Sequence, residues 1–210
     1  MAQLVLPCCY LAPVSHYARL AHSGDCLLEV CDSYRKQTLR NRCLIASADG
    51  PLALTVPVEK PLPGQNRMRD IRISDHGRWR HVHWNALKTA YQSSPFFDYY
   101  ADELAPFYET KWEFLADFNE DLMRLMCSWI DIEPVIGRTE SYSSAENVSK
   151  TRPYFVVETG NSDNSDNLVE TSPYINKEYY QVFRQKLGFL PDLSIVDLVF
   201  NMGPESILYL

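Results

Sequence analysis

The chain has 210 residues, of which 46% are hydrophobic and 12% aromatic, and a formal net charge of −7. That length suits one well-buried domain and is short for two, the composition excludes a disordered chain, and the acidic balance argues against general nucleic-acid affinity. No apolar run approaches the roughly 18 residues of a membrane span, the start MAQLVLPCCY lacks the charged region of a signal peptide, and the six cysteines show no metal-ligand spacing; the expectation is a cytoplasmic protein without integral membrane association, metal or cofactor.

Taken in order, residues 3–10 (QLVLPCCY) read as a buried first strand ending near Pro7. Residues 14–22 can form a short helix, and residues 26–31 (CLLEVC) a second strand closed by Asp32. Strand, helix and strand in this order predict a βαβ unit with parallel strands. Apolar runs follow at 43–46 and 52–58; Leu52, Leu54, Val56 and Val58 alternate as in a half-buried strand. Pro57 sets that strand at an edge or end. Residues 69–73 (RDIRI) alternate too, which predicts another strand.

The second half reads as helical. Over 78–92, Trp79, Val82, His83, Ala86, Leu87, Ala90 and Tyr91 form one apolar stripe, and Pro95 closes the helix. Residues 111–130 predict the longest amphipathic helix, with Trp112, Leu115, Phe118, Leu122, Leu125 and Trp129 inward. Residues 139–152 and 160–172 read as polar loops; the second contains GNSDNSDN and is expected to be mobile. A helix near 176–187 follows. Ser194 and Asp197 are spaced as a capping box, and Asn201-Met-Gly203-Pro204 stops that helix before a last short one. The fold class expected is α/β or α+β: one domain over 1–210, with a mixed, mostly parallel sheet that opens on the βαβ unit.

The charge is uneven. Residues 35–83 hold ten of the twenty Lys and Arg but only four of the twenty-seven acids. Inside this window, Arg40 and Arg42 would share one face of an extended strand, with Asn41 on the other. Arg forks suit phosphate, although such a run is also an ordinary solvated face. His83 lies on the inward stripe of its helix. It is either a hydrogen-bonded core residue or a general base poised near neutral pH. His81 falls on the opposite face, so the two should not chelate one metal. Cys8 and Cys9 end the first strand with His16 downstream; a Cys–His nucleophile pair is conceivable there, and buried inert thiols are the plainer state. Asp197 and Asn201, four apart, share a helix face, as a cap and a helix end or as part of a site. The Asn147-Val-Ser149 sequon means little without a secretory signal.

These residues resemble the WbqC-like family of bacterial proteins over nearly the whole chain. The carriers are Pro7-x-x-Tyr10-x-x-Pro13 with Tyr17; Asp32 with Gln37-Thr-x-Arg40-Asn41-Arg42; Leu54-Thr-Val-Pro57-Val; Trp79, His83, Tyr91 and Pro95-Phe-Phe97; and Leu193-Ser-Ile-Val-Asp197-Leu with Asn201-x-Gly203-Pro204. Leu6 stands where the family often has Gln. The resemblance implies surface-polysaccharide (O-antigen) biosynthesis, with acyl or aminoacyl transfer to an amino sugar on a nucleotide carrier. A fainter similarity links Leu4-Val-Leu, His16 and Leu27–Asp32 to class-I nucleotidyltransferases, without their paired histidines.

The functional expectation is therefore an enzyme whose partner is a phosphorylated or nucleotide-linked small molecule. Gln37, Arg40, Asn41 and Arg42 would bind it, Tyr10 and Tyr91 would stack on it, His83 would be the general base, and Asp197 with Asn201 would orient the acceptor. The alternatives are a non-catalytic scaffold of envelope assembly, or a nucleotidyltransferase-like nucleotide-binding enzyme. Cations converging in a concave, Tyr-lined pocket would favour the enzyme; a flat, spread arrangement would favour the scaffold.

Overall fold

β1 (Leu4–Pro7), α1 (Val14–Ser23) and β2 (Asp25–Glu29) form the opening unit, seen in a computed structural model that describes residues 4–142 and 177–210. The two strands pair in parallel, Leu4 beside Cys26 and Leu6 beside Leu28. Val5, Leu6, Cys26 and Leu28 are all buried, as a strand covered on both faces requires. α1 turns Val14, Tyr17 and Leu20 into the core.

β5 (Val135–Arg138) adds to the other side of β2, again in parallel, so the sheet order is β1-β2-β5. Gly137 sits opposite Leu27, where a Cβ would come within 2.8 Å of the Leu27 side chain. β3 (Arg42–Ser47) and β4 (Gly50–Thr55) make a separate antiparallel hairpin. Leu54 and Val56 face inward as their alternation predicts, Leu52, expected on the same face, is exposed, and β4 ends two residues before Pro57.

The RDIRI strand does not form. A 3-10 turn spans Met68–Asp70, and isolated bridges join Arg72 to Phe114 and Ile73 to Val58. The alternation still buries Ile71 and Ile73, but the backbone bonds go to different segments and no ladder can run.

α2 (Trp79–Tyr91) buries Trp79, His83, Leu87, Ala90 and Tyr91; Val82, expected on that stripe, is exposed. α3 (Phe97–Glu109) follows, turning Phe97, Tyr100, Leu104 and Tyr108 inward despite Pro106 near its end. α4 (Leu115–Trp129) begins later than its predicted start. Trp112 precedes it and stacks on Phe107 with ring centroids 5.6 Å apart.

Of the helix expected near 176–187, the described residues form only α5 (Arg184–Leu187). Tyr179 and Gln181 both reach Asp197, and side chains two apart share a face on extended backbone but not on a helix. α6 (Ile195–Met202) is buried from Ile195 to Asn201. Gly203 ends it at φ 56°, where a Cβ would overlap the Phe96 ring, and a 3-10 segment Gly203–Tyr209 closes the chain. The capping box does not form: Ser194 Oγ has no partner, and the Asp197 carboxylate has turned to stronger donors. Residues 160–172, with GNSDNSDN, and the Asn147 sequon lie outside the described residues.

Candidate functional site

In open α/β sheets ligands bind beyond the carboxyl ends of the parallel strands. Here Cys8 and Cys9 follow β1, Val30 to Asp32 follow β2, and Thr139 follows β5. Thr139 Oγ1 links the last two: it accepts from the Val30 N–H at 3.2 Å and donates to Glu29 Oε1 at 2.8 Å. Glu29 also accepts from the Cys31 N–H at 2.8 Å, so its buried carboxylate is well supplied with donors.

Arg40 stands at this end of the sheet. Residues 38–42 form a turn, closed by N–H bonds from Asn41 and Arg42 to the Thr38 carbonyl, and Leu39 accepts from the Tyr10 N–H at 2.9 Å. The turn replaces the extended strand expected for Arg40-Asn41-Arg42 and sends their side chains apart. Arg40 Nε donates to Asp32 Oδ2 at 3.0 Å, and Nη2 donates to that same oxygen. A guanidinium fork usually takes both oxygens of a carboxylate. Here both donors converge on one, and buried Oδ1 has no partner.

Burial pushes the Asp32 carboxyl above its ordinary range in spite of Arg40. The Tyr34 phenol is pushed up to about 12 by burial, eased by the nearby Arg40 charge, and its hydroxyl also lacks a partner. Asn119, from α4, donates through Nδ2 to the carbonyls of Arg40 (2.8 Å) and Cys8 (3.4 Å), leaving Oδ1 unpartnered. Cys9 feels both Arg40 and Asp32; burial pushes its thiol up to about 12, so it stays protonated. Burial also raises Cys8, which donates to the Ala116 carbonyl.

His83 is 4% exposed and hydrogen-bonded through Nδ1 to the Tyr10 hydroxyl at 2.9 Å. Its ring also makes a backbone bond to Thr55, and burial lowers it to about 4. Tyr10 in turn meets the Tyr108 hydroxyl at 2.8 Å and stacks on Phe118. These groups form a buried chain, Tyr108–Tyr10–His83, inside an aromatic cluster with Trp79. His81 lies outside on the exposed face, bonded to Asn85.

Asp197 is 0% exposed and forms a separate centre. Oδ1 accepts from the Tyr91 hydroxyl at 2.9 Å; Oδ2 accepts from the Tyr179 hydroxyl and from Gln181 Nε2, each at 2.8 Å. The Tyr91 hydroxyl also accepts from the Ala46 N–H at 3.0 Å. Burial raises the Asp197 carboxyl, and the three donors work against it. Asn201 Nδ2 donates to the Asp197 backbone carbonyl at 2.7 Å. The residues from the C-terminal signature thus tie α6 to α2, the hairpin and the 177–190 segment.

The remaining candidates stand apart. Asn41 Nδ2 donates to the Val56 carbonyl at 2.9 Å, and Arg42 Nε donates to Thr55 Oγ1 at 2.9 Å. Gln37 is exposed, at φ 60°. The basic window does not converge: Arg72 pairs with Glu113 and Arg80 with Asp75, while Arg35, Lys36, Lys60, Arg67 and Arg78 lie exposed around the surface. Of the predicted binding residues, Arg40 alone belongs to the strand-end cluster. Asp32 stands in the basic motif, but as the residue that closes the second predicted strand its spacing does not mark it as part of a site. Tyr34 and Asn119 carried no signal, since neither belongs to a recurring spacing.

Fold and site together define a single α/β domain that presents an Arg–Asp pair at the carboxyl end of a parallel sheet. The chain belongs to the WbqC-like protein family, which matches over residues 9–209. It is 30% identical over 193 residues to the Mycobacterium tuberculosis protein named Uncharacterized protein Rv1507c, covering 84% of this chain and 83% of the relative. No solved structure matches. Among the described residues no helix is long and apolar enough to cross a membrane.

Proposed function

We propose that the protein is a transferase of surface-polysaccharide biosynthesis that moves an acyl or aminoacyl group onto the amine of an amino sugar carried on a nucleotide. The observation that carries this is the Arg40 cluster: a guanidinium at the carboxyl ends of β1 and β2, bonded to an Asp32 whose second oxygen is buried without a partner. Arg40 would hold a phosphate or sugar oxygen. The amine would attack the carbonyl carbon of an activated acyl donor, whose leaving group departs with the bonding electron pair. The amine must shed a proton in that step, since an ammonium has no lone pair. His83 would act through the Tyr10 and Tyr108 hydroxyls, because its own nitrogens are engaged.

A thermal-shift screen against nucleotide sugars, nucleotides and acyl carriers tests this reading. A ligand at about 100 times its Kd stabilises by about 2.7 kcal/mol, roughly 5–10 °C for a chain of this size. The shift should vanish in Arg40→Ala, and His83→Ala should cut turnover with affinity changed only a few-fold. No shift with any phosphorylated compound sinks the proposal.

The spread of the other cations favours a second reading, a non-catalytic scaffold whose exposed Arg35, Lys36, Arg67 and Arg78 dock an acidic partner. Under that reading, charge reversal at Arg67 and Arg78 would abolish partner binding while Arg40→Ala would not.

A further inference from the structure

The unpartnered atoms around Arg40 have a chemical bias. Asp32 Oδ1 and Asn119 Oδ1 are acceptors, and the Tyr34 hydroxyl can donate or accept. The residues that carry them are 7%, 1% and 6% exposed. Asn119 is fixed by its bonds to the Arg40 and Cys8 carbonyls, and Asp32 by Arg40 itself. The amide and carboxylate therefore keep their open acceptors on side chains already tied to Arg40. The Arg40 side chain retains 16% exposure and that of Asp32 9%, so the pair lies just under the surface, and a ligand reaching the three buried atoms must enter beside it.

The diphosphate of a nucleotide sugar brings acceptors only at neutral pH. It could engage Arg40 and Tyr34, but it would leave Asp32 Oδ1 and Asn119 Oδ1 unpaired and would face the Asp32 charge. A ligand with hydroxyl or ammonium donors satisfies both acceptors, and one of its own oxygens can take the Tyr34 or Arg40 donors.

We propose that Asp32, Asn119 and Tyr34 form a subsite beside Arg40 for the donor-bearing part of a ligand, the hydroxyls or ammonium of a sugar and not its phosphate. This rests on the reading of the site given above and names which part of the ligand lies there. Asp32 is the specificity-determining group, because it both orients Arg40 and offers a charged acceptor to an ammonium.

Isothermal titration on the full chain tests the subsite, with uridine diphosphate glucosamine, glucosamine, uridine diphosphate and inorganic phosphate as probes. Tyr34→Phe should weaken uridine diphosphate glucosamine about ten-fold, the scale of one lost hydrogen bond. Binding of uridine diphosphate should hold within about two-fold. Asp32→Asn should weaken the amino sugar more strongly than uridine diphosphate glucose measured alongside it. The thermal midpoint of unliganded Tyr34→Phe should not fall, because its hydroxyl has no protein partner to lose. Two results overturn the proposal: a lowered midpoint with unchanged affinities, which marks a group satisfied by buried water, or phosphate binding that tightens in Asp32→Asn with no discrimination among sugars, which marks a plain anion site. Binding of glucosamine through Tyr34 and Asp32 without any nucleotide contribution supports the subsite and removes the nucleotide from the proposed function. If no donor-bearing probe binds in a Tyr34-dependent way, the subsite is wrong.

Discussion

Asp197 and Asp32 are both buried carboxylates, and their surroundings differ in the charge of the donors and in whether both oxygens are met. Asp197 has a donor on each oxygen, and no ion pair is seen with it among the described residues. Asp32 has a cation on one oxygen and nothing on the other. A buried carboxylate with its hydrogen bonds made fixes structure, and an incomplete one costs stability until something completes it. The difference separates the part of the molecule that holds α6 in place from the part where a buried carboxylate keeps an unmet acceptor.

The largest effect that could break this contrast is at Asp197. Asp197→Ala strands two tyrosine hydroxyls and Gln181 in the core, with an expected loss of about 3–4 kcal/mol in denaturant unfolding. A loss under about 1 kcal/mol would mean the centre is not structural.

Arg40→Met comes next. It leaves Asp32 buried without its cation and should cost about 2–3 kcal/mol at neutral pH. The Asp32 carboxyl sits above its ordinary range, so the folded state takes up its proton more readily than the unfolded chain. The cost should shrink as pH falls and Asp32 neutralises, and Asp32→Leu in the same chain should recover most of it.

Acid unfolding sharpens the contrast further. Raised carboxyls at Asp32 and Asp197 bind protons more tightly when folded, so they do not drive acid unfolding. His83 and His16 do, because burial lowers them to about 4 and about 3. The unfolded chain binds their protons first, so stability should fall as pH drops below about 6.5, by up to about 1.4 kcal/mol per unit for each histidine. His83→Gln should flatten that slope in pH-dependent melts. The smallest effect is Tyr34→Phe, expected within about 0.5 kcal/mol of the parent.

Much of the fold was legible because its signals are local. β1, α1 and β2 follow from short apolar runs and one amphipathic stretch, and α2 from its stripe. α3 has no clear signal in the sequence, since Pro106 and an aromatic-rich composition blur its period; packing of Phe97, Leu104 and Tyr108 holds it. RDIRI kept its burial pattern but lacked a neighbour to pair with, which alternation cannot reveal. At the site, the motifs led to Arg40 and to the Asp197 centre. The family resemblance could not say that Tyr91 and Asn201 serve the framework through Asp197 and its backbone, or that Arg42 turns away from Arg40. Those outcomes depend on a turn at residues 38–42 and on contacts between segments far apart in the chain.

The position of β5 bears on how the chain is made. β2 leaves the ribosome with β1 ready beside it, but its other edge waits for residues 135–138. At translation rates of about 5–20 residues per second, that edge stays open for roughly 5–20 s. Open strand edges invite pairing with other chains during that interval. Gly137 belongs to the strand that ends the wait, and a larger residue there would press on the Leu27 side-chain methyl, which must shift before the strands can pair. A Gly137 substitution should therefore lower the yield of newly made protein by more than it lowers the stability of the fraction that folds.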